Sequence, residues 1–390
     1  MMKVLYILHS TIMGGATISF MNMLSGLIEK GIEPVIIGPK ANSEDVSEDF
    51  EKYIEQRQIR YYEALLPMQV WPQVNSCRRK LFFPARLVSF WVKTILGKRT
   101  IKRILKSENP DIVHTNVGVI HIGAILSKKM NIPHVWHIRE YQDKDFEWSI
   151  YPSKRKFMSH LKSSSYVISI TQDLINYFGL SNNTNARCVY NGILHKSETY
   201  YQSKKKKYFL CASRIDKEKG HKDVIKAFSV FVRTNPDYEL VILGFGSEYF
   251  IHELKELSNE MGCSDKIRWE GYKSNVIDYM REAKALVVGS YSEGFGRMTA
   301  EAYLSGCLPI GRDTAGTKEI LDLVGGYRFE TIEGLVDCMN SVVSLDEVEY
   351  RRQALAIQKK AAERFSIEAN IEGVYSIYES LIEDKKNYGD

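Results

Sequence analysis

Short apolar runs alternate with longer amphipathic stretches along the whole chain, and no other feature of the sequence limits the fold as much. In the first half the runs are Lys3–Leu8, Pro34–Gly38, Asp111–His114, His134–Ile138 and Tyr166–Ile170. In the second half they are Tyr208–Ala212, Glu239–Leu243, Lys266–Glu270, Ala285–Val288 and Leu308–Gly311. A strand covered on both faces must be apolar nearly throughout, whereas one with a wet face alternates. Continuous runs separated by helix-length stretches such as Lys222–Arg233 and Arg297–Leu304 therefore predict parallel sheets wrapped by helices, an α/β fold. At 390 residues the chain is long for one such unit. Two successive series of strands predict two Rossmann-like, doubly wound domains.

The seam between them is expected near His195–Lys207. Ser197–Ser203 has no clear period, and Lys204–Lys207 reads as a solvated charge run before a fresh strand. This gives an N-terminal domain over 1–195, a linker over 196–207 and a C-terminal domain over 208–365. A final helix over 366–384 follows. Ile367, Ile371, Val374, Tyr378 and Leu381 recur at four- and three-residue spacing, with Ser366 as its N-cap. That helix could pack on either domain.

Composition excludes several classes. With 44% hydrophobic and 26% charged residues, the chain suits a soluble globular protein. The six cysteines, Cys77, Cys188, Cys211, Cys263, Cys307 and Cys338, form no CxxC pair and read as buried reduced thiols. The first strand begins almost at Met1, without the apolar core and cleavage site of a signal peptide. No stretch has the roughly 18 uncharged apolar residues of a membrane span. A cytoplasmic protein is expected.

The net charge of +5 is mild, but its distribution is uneven. Residues 64–107 contain no Asp or Glu, yet carry ten Lys and Arg interleaved with Trp71, Phe82, Phe83, Phe90 and Trp91. Such a segment suits an anionic membrane surface, with aromatics at headgroup level and cations meeting acidic lipids. The alternative is a solvated basic helix with core aromatics. No RNA- or DNA-binding module accompanies it, and no nucleic-acid partner is expected.

The most informative stretch is Ser292-Glu293-Gly294-Phe295-Gly296-Arg297-Met298-Thr299-Ala300-Glu301. A strand leads into a glycine-bracketed turn, and a helix follows. The N–H groups and positive dipole end of that helix favour an anion such as phosphate. Two carboxylates, eight positions apart, can accept hydrogen bonds from hydroxyls of one ligand lying across the helix start.

Glu293 and Glu301, with Gly-Phe-Gly after the first, resemble the signature of the retaining glycosyltransferases of family 4. Gly306-Cys307-Leu308-Pro309-Ile310-Gly311, Gly316-Thr317-Lys318-Glu319-Ile320, Gly244-Phe245-Gly246 and Ser213–Gly220 follow the same pattern, in order from about 208 to 322. In the N-terminal half the resemblance is looser, resting on Gly14-Gly15, His137 and Tyr190-Asn191-Gly192. It implies the GT-B arrangement, two Rossmann-like domains facing across a cleft. It also implies sugar transfer from a nucleoside diphosphate, UDP before GDP, to a hydroxyl with retention at the anomeric carbon.

Residue by residue, the resemblance makes Arg214 and Lys219 the contacts of the diphosphate. Glu301 holds the ribose hydroxyls and Glu293 those of the donor sugar. Gly294, Phe295 and Gly296 offer backbone amides, Gly244 belongs to the donor site, and Gly15 approaches the diphosphate. His137, with Arg214, Lys219 and Glu293, completes the candidate catalytic set. Arg139, Glu140 and Asn191 are acceptor-side candidates, with Arg139 and Glu140 alternatively a simple ion pair.

Asp143-x-Asp145 is a weak metal signal in a mixed-charge loop, and a metal-independent enzyme is expected. A lipid-linked glycan in surface polysaccharide assembly is the expected acceptor. The competing readings are a sugar-nucleotide epimerase on the same fold and a catalytically silent binding protein. Gly14-Gly15 is not the Gly-x-Gly-x-x-Gly fingerprint of a nicotinamide dehydrogenase.

Overall fold

The computed structural model describes residues 1–40, 47–74, 76–146 and 148–388. The chain divides into two units, one formed by Met1–Gly192 and the chain from Asn370 onward, the other by Ile193–Ala369.

Unit 1 holds seven strands: β1 (Met2–Ile7), β2 (Ile32–Pro39), β3 (Arg60–Ala64), β4 (Ile112–Thr115), β5 (His134–Ile138), β6 (Tyr166–Ser169) and β7 (Ala186–Cys188). Their order is β3-β2-β1-β4-β5-β6-β7, with every neighbouring pair parallel. Leu5 of β1 lies between Val35 and Val113 in register, and all three are fully buried. Removing each such side chain from water contributes about 1.5–3 kcal/mol. That is why the central strands read as unbroken apolar runs.

Unit 2 repeats the plan with β8 (Tyr208–Ala212), β9 (Glu239–Leu243), β10 (Ile267–Gly271), β11 (Ala285–Val288), β12 (Leu308–Arg312) and β13 (Tyr327–Phe329). The order is β10-β9-β8-β11-β12-β13, again parallel. In each sheet the winding direction reverses once, between β1 and β4 and between β8 and β11. Open α/β sheets bind ligands beyond the carboxyl ends of the strands at such a reversal.

Three strands escape the sequence pattern: β3, β7 and β13. Each lies at a sheet edge, where one side lacks a neighbour and short or polar strands are favoured. Arg60 and Glu63 in β3 are exposed, and β7 and β13 have three residues each.

The final helix, Ile367–Tyr388, is capped by Ser366, whose Oγ accepts the Ala369 N–H at 3.2 Å. Ile371, Val374, Tyr378 and Leu381 are buried. A methyl on Gly26 would stand 2.0 Å from Ile371 Cδ1, so the helix Gly15–Glu29 needs glycine there to seat it.

Two expectations need correction. Lys204–Lys207 is not simply solvated. Lys205 turns inward and donates to the carbonyls of Arg281 and Gly306, while Lys206 pairs with Glu282 and Lys207 with Asp237. The segment is fastened to unit 2 because carbonyls at the ends of neighbouring elements need donors. The cysteines, all free thiols, are only partly core: Cys211, Cys263 and Cys307 are buried, Cys188 and Cys338 half-buried, and Cys77 exposed. No helix among the described residues is long and apolar enough to cross a membrane.

Candidate functional site

In unit 2 the loops after β8 and β11 leave from the two strands that flank the reversal. Gly220 sits at φ +69°, and a methyl there would lie 2.1 Å from the Gly289 carbonyl. Glycine thus lets the two loops close on each other, and Tyr291 N–H donates to the Glu218 carbonyl at 2.9 Å. This contact carries Lys219 Nζ to 2.7 Å from Glu293 Oε1. Ser290 Oγ donates to the same oxygen at 2.8 Å. Sequence separates Lys219 and Glu293 by 74 positions; the loop contact makes them one group.

Arg214, also on the β8 loop, is largely exposed, with Nε 2.5 Å from Asp216 Oδ2. Asp216 in turn accepts the Glu218 N–H and starts the turn Lys217–Lys219. Asp216 and Ser290 carried no signal beyond their position, and the sequence reading passed over both.

Glu293 is followed by Gly294, Phe295 and Gly296, and the helix Arg297–Leu304 begins with Gly296 as its cap at φ +79°. The cap residue has no side chain to offer and no acid lies in the first turn, and the positive end of such a helix start favours an anion. The Phe295 ring is buried, edge-on to Phe365 at 5.8 Å. The side chain therefore belongs to the core of unit 2. Glu301 is buried within the helix and accepts from Arg297 Nε at 2.8 Å. Burial raises its carboxyl pKa, and Arg297 opposes the rise.

Gly244 has a structural reason of its own. Its φ is +141°, a methyl would lie 1.8 Å from the Ser213 carbonyl, and its N–H already donates to Gly271 O. It shapes the wall of the Arg214 loop and has no amide to offer a phosphate.

In unit 1 the corresponding reversal lies between β1 and β4. Past β1, Gly14 precedes the helix Gly15–Glu29, which has no side-chain cap and no acid in its first turn. Gly14 is extended at φ −135°, and a methyl on Gly14 or Gly15 would meet nothing within 4 Å. Neither conformation nor packing in the chain requires glycine there, which leaves room for a ligand at the backbone.

At the end of β5, His137 is completely buried and Arg139 nearly so. Arg139 donates to Asn191 Oδ1 at 2.7 Å and, through Nε and Nη2, to Asn116 Oδ1 at 3.1 and 2.9 Å. Its Nη2 also lies 3.3 Å from His137 Nδ1. A guanidinium only donates, so Nδ1 accepts and the proton of neutral His137 sits on Nε2. That Nε2 is buried without a protein partner, as is Nε2 of neighbouring His114, whose ring centroid is 5.4 Å away.

Burial, then the charge of Arg139, depresses the pKa of His114 and His137 well below the usual range, with His134 adding to the first and His114 to the second. His9 beyond β1 falls to about 4, from burial and then Arg139. Arg139 itself is drawn down to about 10 by burial, opposed by Glu140, and stays charged at neutral pH. Glu140 Oε1 accepts the Gly118 N–H at 2.9 Å. The structure therefore joins Arg139, Asn191 and His137 in one buried network that also recruits Asn116, a partner the sequence did not reveal.

Asp143 is engaged by Tyr177 and Lys154, and the Asp145 side chain lies outside the described residues. Among the described residues no three His, Cys, Asp or Glu side chains come together as a metal site.

Two parallel doubly wound sheets, each with glycine turns and an uncapped helix start beside its winding reversal, define a nucleotide-binding class of protein. Comparison with known proteins makes this specific. The model described as Glycosyltransferase Family 4 matches residues 13–195, and that described as Glycosyl transferases group 1 matches residues 196–359. The chain belongs to this glycosyltransferase family.

Among curated proteins it is 26% identical to an uncharacterized glycosyltransferase of Methanocaldococcus jannaschii, over 72% of this chain and 78% of that protein. It is 24% identical to the N-acetyl-alpha-D-glucosaminyl L-malate synthase of Bacillus anthracis, over 73% and 78%. Among solved structures, Anabaena Alr3699/HepE in complex with UDP superposes with a TM-score of 0.76 at 17% identity, covering 97% of this chain and all of that one. That likeness concerns the fold.

Proposed function

We propose that this glycosyltransferase moves a sugar from a nucleoside diphosphate to a hydroxyl with retention at the anomeric carbon, and does so without a metal ion. The observation that carries the reading is the Lys219–Glu293 pair at 2.7 Å, with Arg214 on the same loop as Lys219 and the helix Arg297–Leu304 starting shortly after Glu293. A diphosphate placed there meets two cations and a helix dipole. A sugar hydroxyl placed there meets a carboxylate already held by Ser290.

As the glycosidic bond to the diphosphate breaks, negative charge grows on the leaving oxygen. Lys219 and Arg214 stabilise that charge, a preorganised electrostatic contribution. They take the part a divalent cation plays in other transferases. Glu293 and Glu301 fix the hydroxyls of the donor, Glu301 on the ribose. Gly15 provides a close backbone approach. The buried Nε2–H of His137 is a donor suited to orienting a sugar hydroxyl, with Arg139, Glu140 and Asn191 on the acceptor side.

UDP is favoured over GDP on family frequency, and the Anabaena structure in complex with UDP supports that order. The acceptor proposed is a lipid-linked glycan of surface polysaccharide assembly, supported by the carboxylate-free segment 64–107.

The test is turnover of UDP- and GDP-sugars with chelator present, following both the nucleotide released and the fate of the sugar. Sugar appearing on acceptor or water with release of nucleoside diphosphate supports transfer. Sugar that changes configuration while still attached to nucleotide identifies an epimerase instead. Activity abolished by chelator and restored by Mg²⁺ removes the metal-free part of the proposal.

A further inference from the structure

The carboxylate-free segment becomes two helices, Cys77–Leu81 and Phe83–Glu108, and the second is only half packed. Its buried positions, Thr94, Gly97, Ile101, Ile104, Leu105 and Glu108, begin in the middle and follow helical spacing to the end. A methyl on Gly97 would lie 2.0 Å from the Leu65 carbonyl, so this half is pressed against the domain. The N-terminal half, from Phe83 to Lys93, has no fully buried residue.

The outward face is laid out in blocks. Leu81, Val88, Trp91, Val92, Ile95 and Leu96 are between 43% and 77% exposed. On one side of them stand exposed Arg78, Arg79 and Lys80; on the other, exposed Arg99, Lys102, Arg103 and Lys106. Val88, Val92, Ile95, Arg99, Lys102 and Lys106 follow one another at three- and four-residue steps, a single stripe that is apolar first and basic afterwards. Contiguous exposed apolar surface on a soluble unit marks a contact.

Beneath the same half-helix lies a pocket of about 490 Å³, walled by Trp71, Phe90 and Trp148 with Arg79, Arg86 and Lys93. Trp71 is further braced by Phe83 and Tyr151 at centroid distances of 6.1 and 4.6 Å. Aromatic walls with three cations suit a group that is apolar at one end and anionic at the other.

We infer that this face docks on an anionic phospholipid leaflet, the apolar block entering the headgroup boundary, the basic blocks meeting lipid phosphates, and the pocket seating one of them. Charge decides the occupant. A second copy of the same face would set basic blocks against basic blocks with no carboxylate from residues 64–107 to relieve them. A leaflet of acidic lipid supplies both the apolar depth and the opposite charge.

The inference deepens the reading of a lipid-linked acceptor and rests on it for its purpose, but its test measures binding without turnover. The full chain is mixed with vesicles of phosphatidylcholine and of phosphatidylcholine with phosphatidylglycerol, and the bound fraction is followed by flotation at several salt concentrations. Binding should be confined to the anionic vesicles and weaken with salt. Neutralising Arg99, Lys102 or Lys106 to Gln should cost about fivefold each. Val88→Asp with Ile95→Asp should abolish binding, and Lys93→Gln should weaken it while the melting temperature holds.

Equal binding to both vesicle types, or binding indifferent to these substitutions, overturns the inference. So does a lipid-free dimer that Val88→Asp dissociates, which would make the face an interface between copies. Donor hydrolysis by the unbound enzyme is read separately, so loss of docking and loss of the transferase reading give different results.

Discussion

The two units share a winding plan but build their polar centres in opposite ways. In unit 2 the charged groups sit on loop ends: Lys219 against Glu293, Arg214 against Asp216, each pair at a junction that a ligand can enter. In unit 1 one guanidinium, Arg139, is sunk among Asn116, Asn191 and His137, and the surrounding histidines are held neutral. Exposed or half-buried ion pairs are cheaper to rearrange around an incoming diphosphate than a fully buried network, which is costly to disturb and fixes geometry instead. The same residue types thus stand as accessible loop pairs in one unit and as a sunken, fixed network in the other.

The contrast is open to attack first by pH. His9 has its pKa lowered to about 4, and His121 and His134 to about 3, all in unit 1 and all chiefly by burial. In unit 2 His221 is lowered to about 4. The unfolded chain binds protons near pH 6.5 while these folded histidines do not, so stability is full above that pH and falls as the pH drops toward 4. At pH 5 each shift costs on the order of 2 kcal/mol. Hydrogen exchange at pH 7 and pH 5 should therefore show the larger loss of protection in unit 1, where His9, His121 and His134 are joined by His114 and His137, against His221 in unit 2. Equal loss of protection in the two units would break the contrast.

Turnover comes next. Lys219→Ala should lower kcat/KM by ~10²–10³ with the melting temperature unmoved. A rate within a few-fold of the parent enzyme would remove the donor-site assignment. The paired arginines then sharpen the distinction. Arg139→Met strands two buried asparagine acceptors and should destabilise by about 2–4 kcal/mol in urea titration. Arg214→Met, at an exposed position, should change stability by less than ~0.5 kcal/mol while reducing turnover.

The smallest expected effect is at Glu301. Glu301→Gln keeps the shape of the side chain but weakens its hydrogen bonds to a diol. UDP should bind about tenfold more weakly, a loss of about 1.4 kcal/mol, read as a smaller thermal shift at a fixed concentration of UDP. An unchanged shift would place the ribose elsewhere.

Much of this was legible in the chain itself. The ten apolar runs became ten strands, and His134–Ile138, Tyr208–Ala212, Glu239–Leu243 and Ala285–Val288 begin and end where the runs do, because a strand buried on two faces writes its position as an unbroken apolar run. The glycine turn at Gly294–Gly296 and the helix after it were equally plain, since φ of +79° at Gly296 is a demand made locally. The edge strands β3, β7 and β13 were not legible, for an edge imposes no apolar pattern. Gly244 was legible as a feature and not as a role. Only the position of the Ser213 carbonyl reveals why glycine is required there.

Sequence alone determined the fold class, the order of the elements and the local turns, because each of these depends on residues within one strand or one helical turn of each other. Tertiary structure decided the rest. It brought Lys219 to Glu293, gave Arg139 its two asparagines and turned the unpacked half of Phe83–Glu108 outward. Those outcomes depend on contacts between residues dozens of positions apart, and packing fixes such contacts only when the whole unit closes around them.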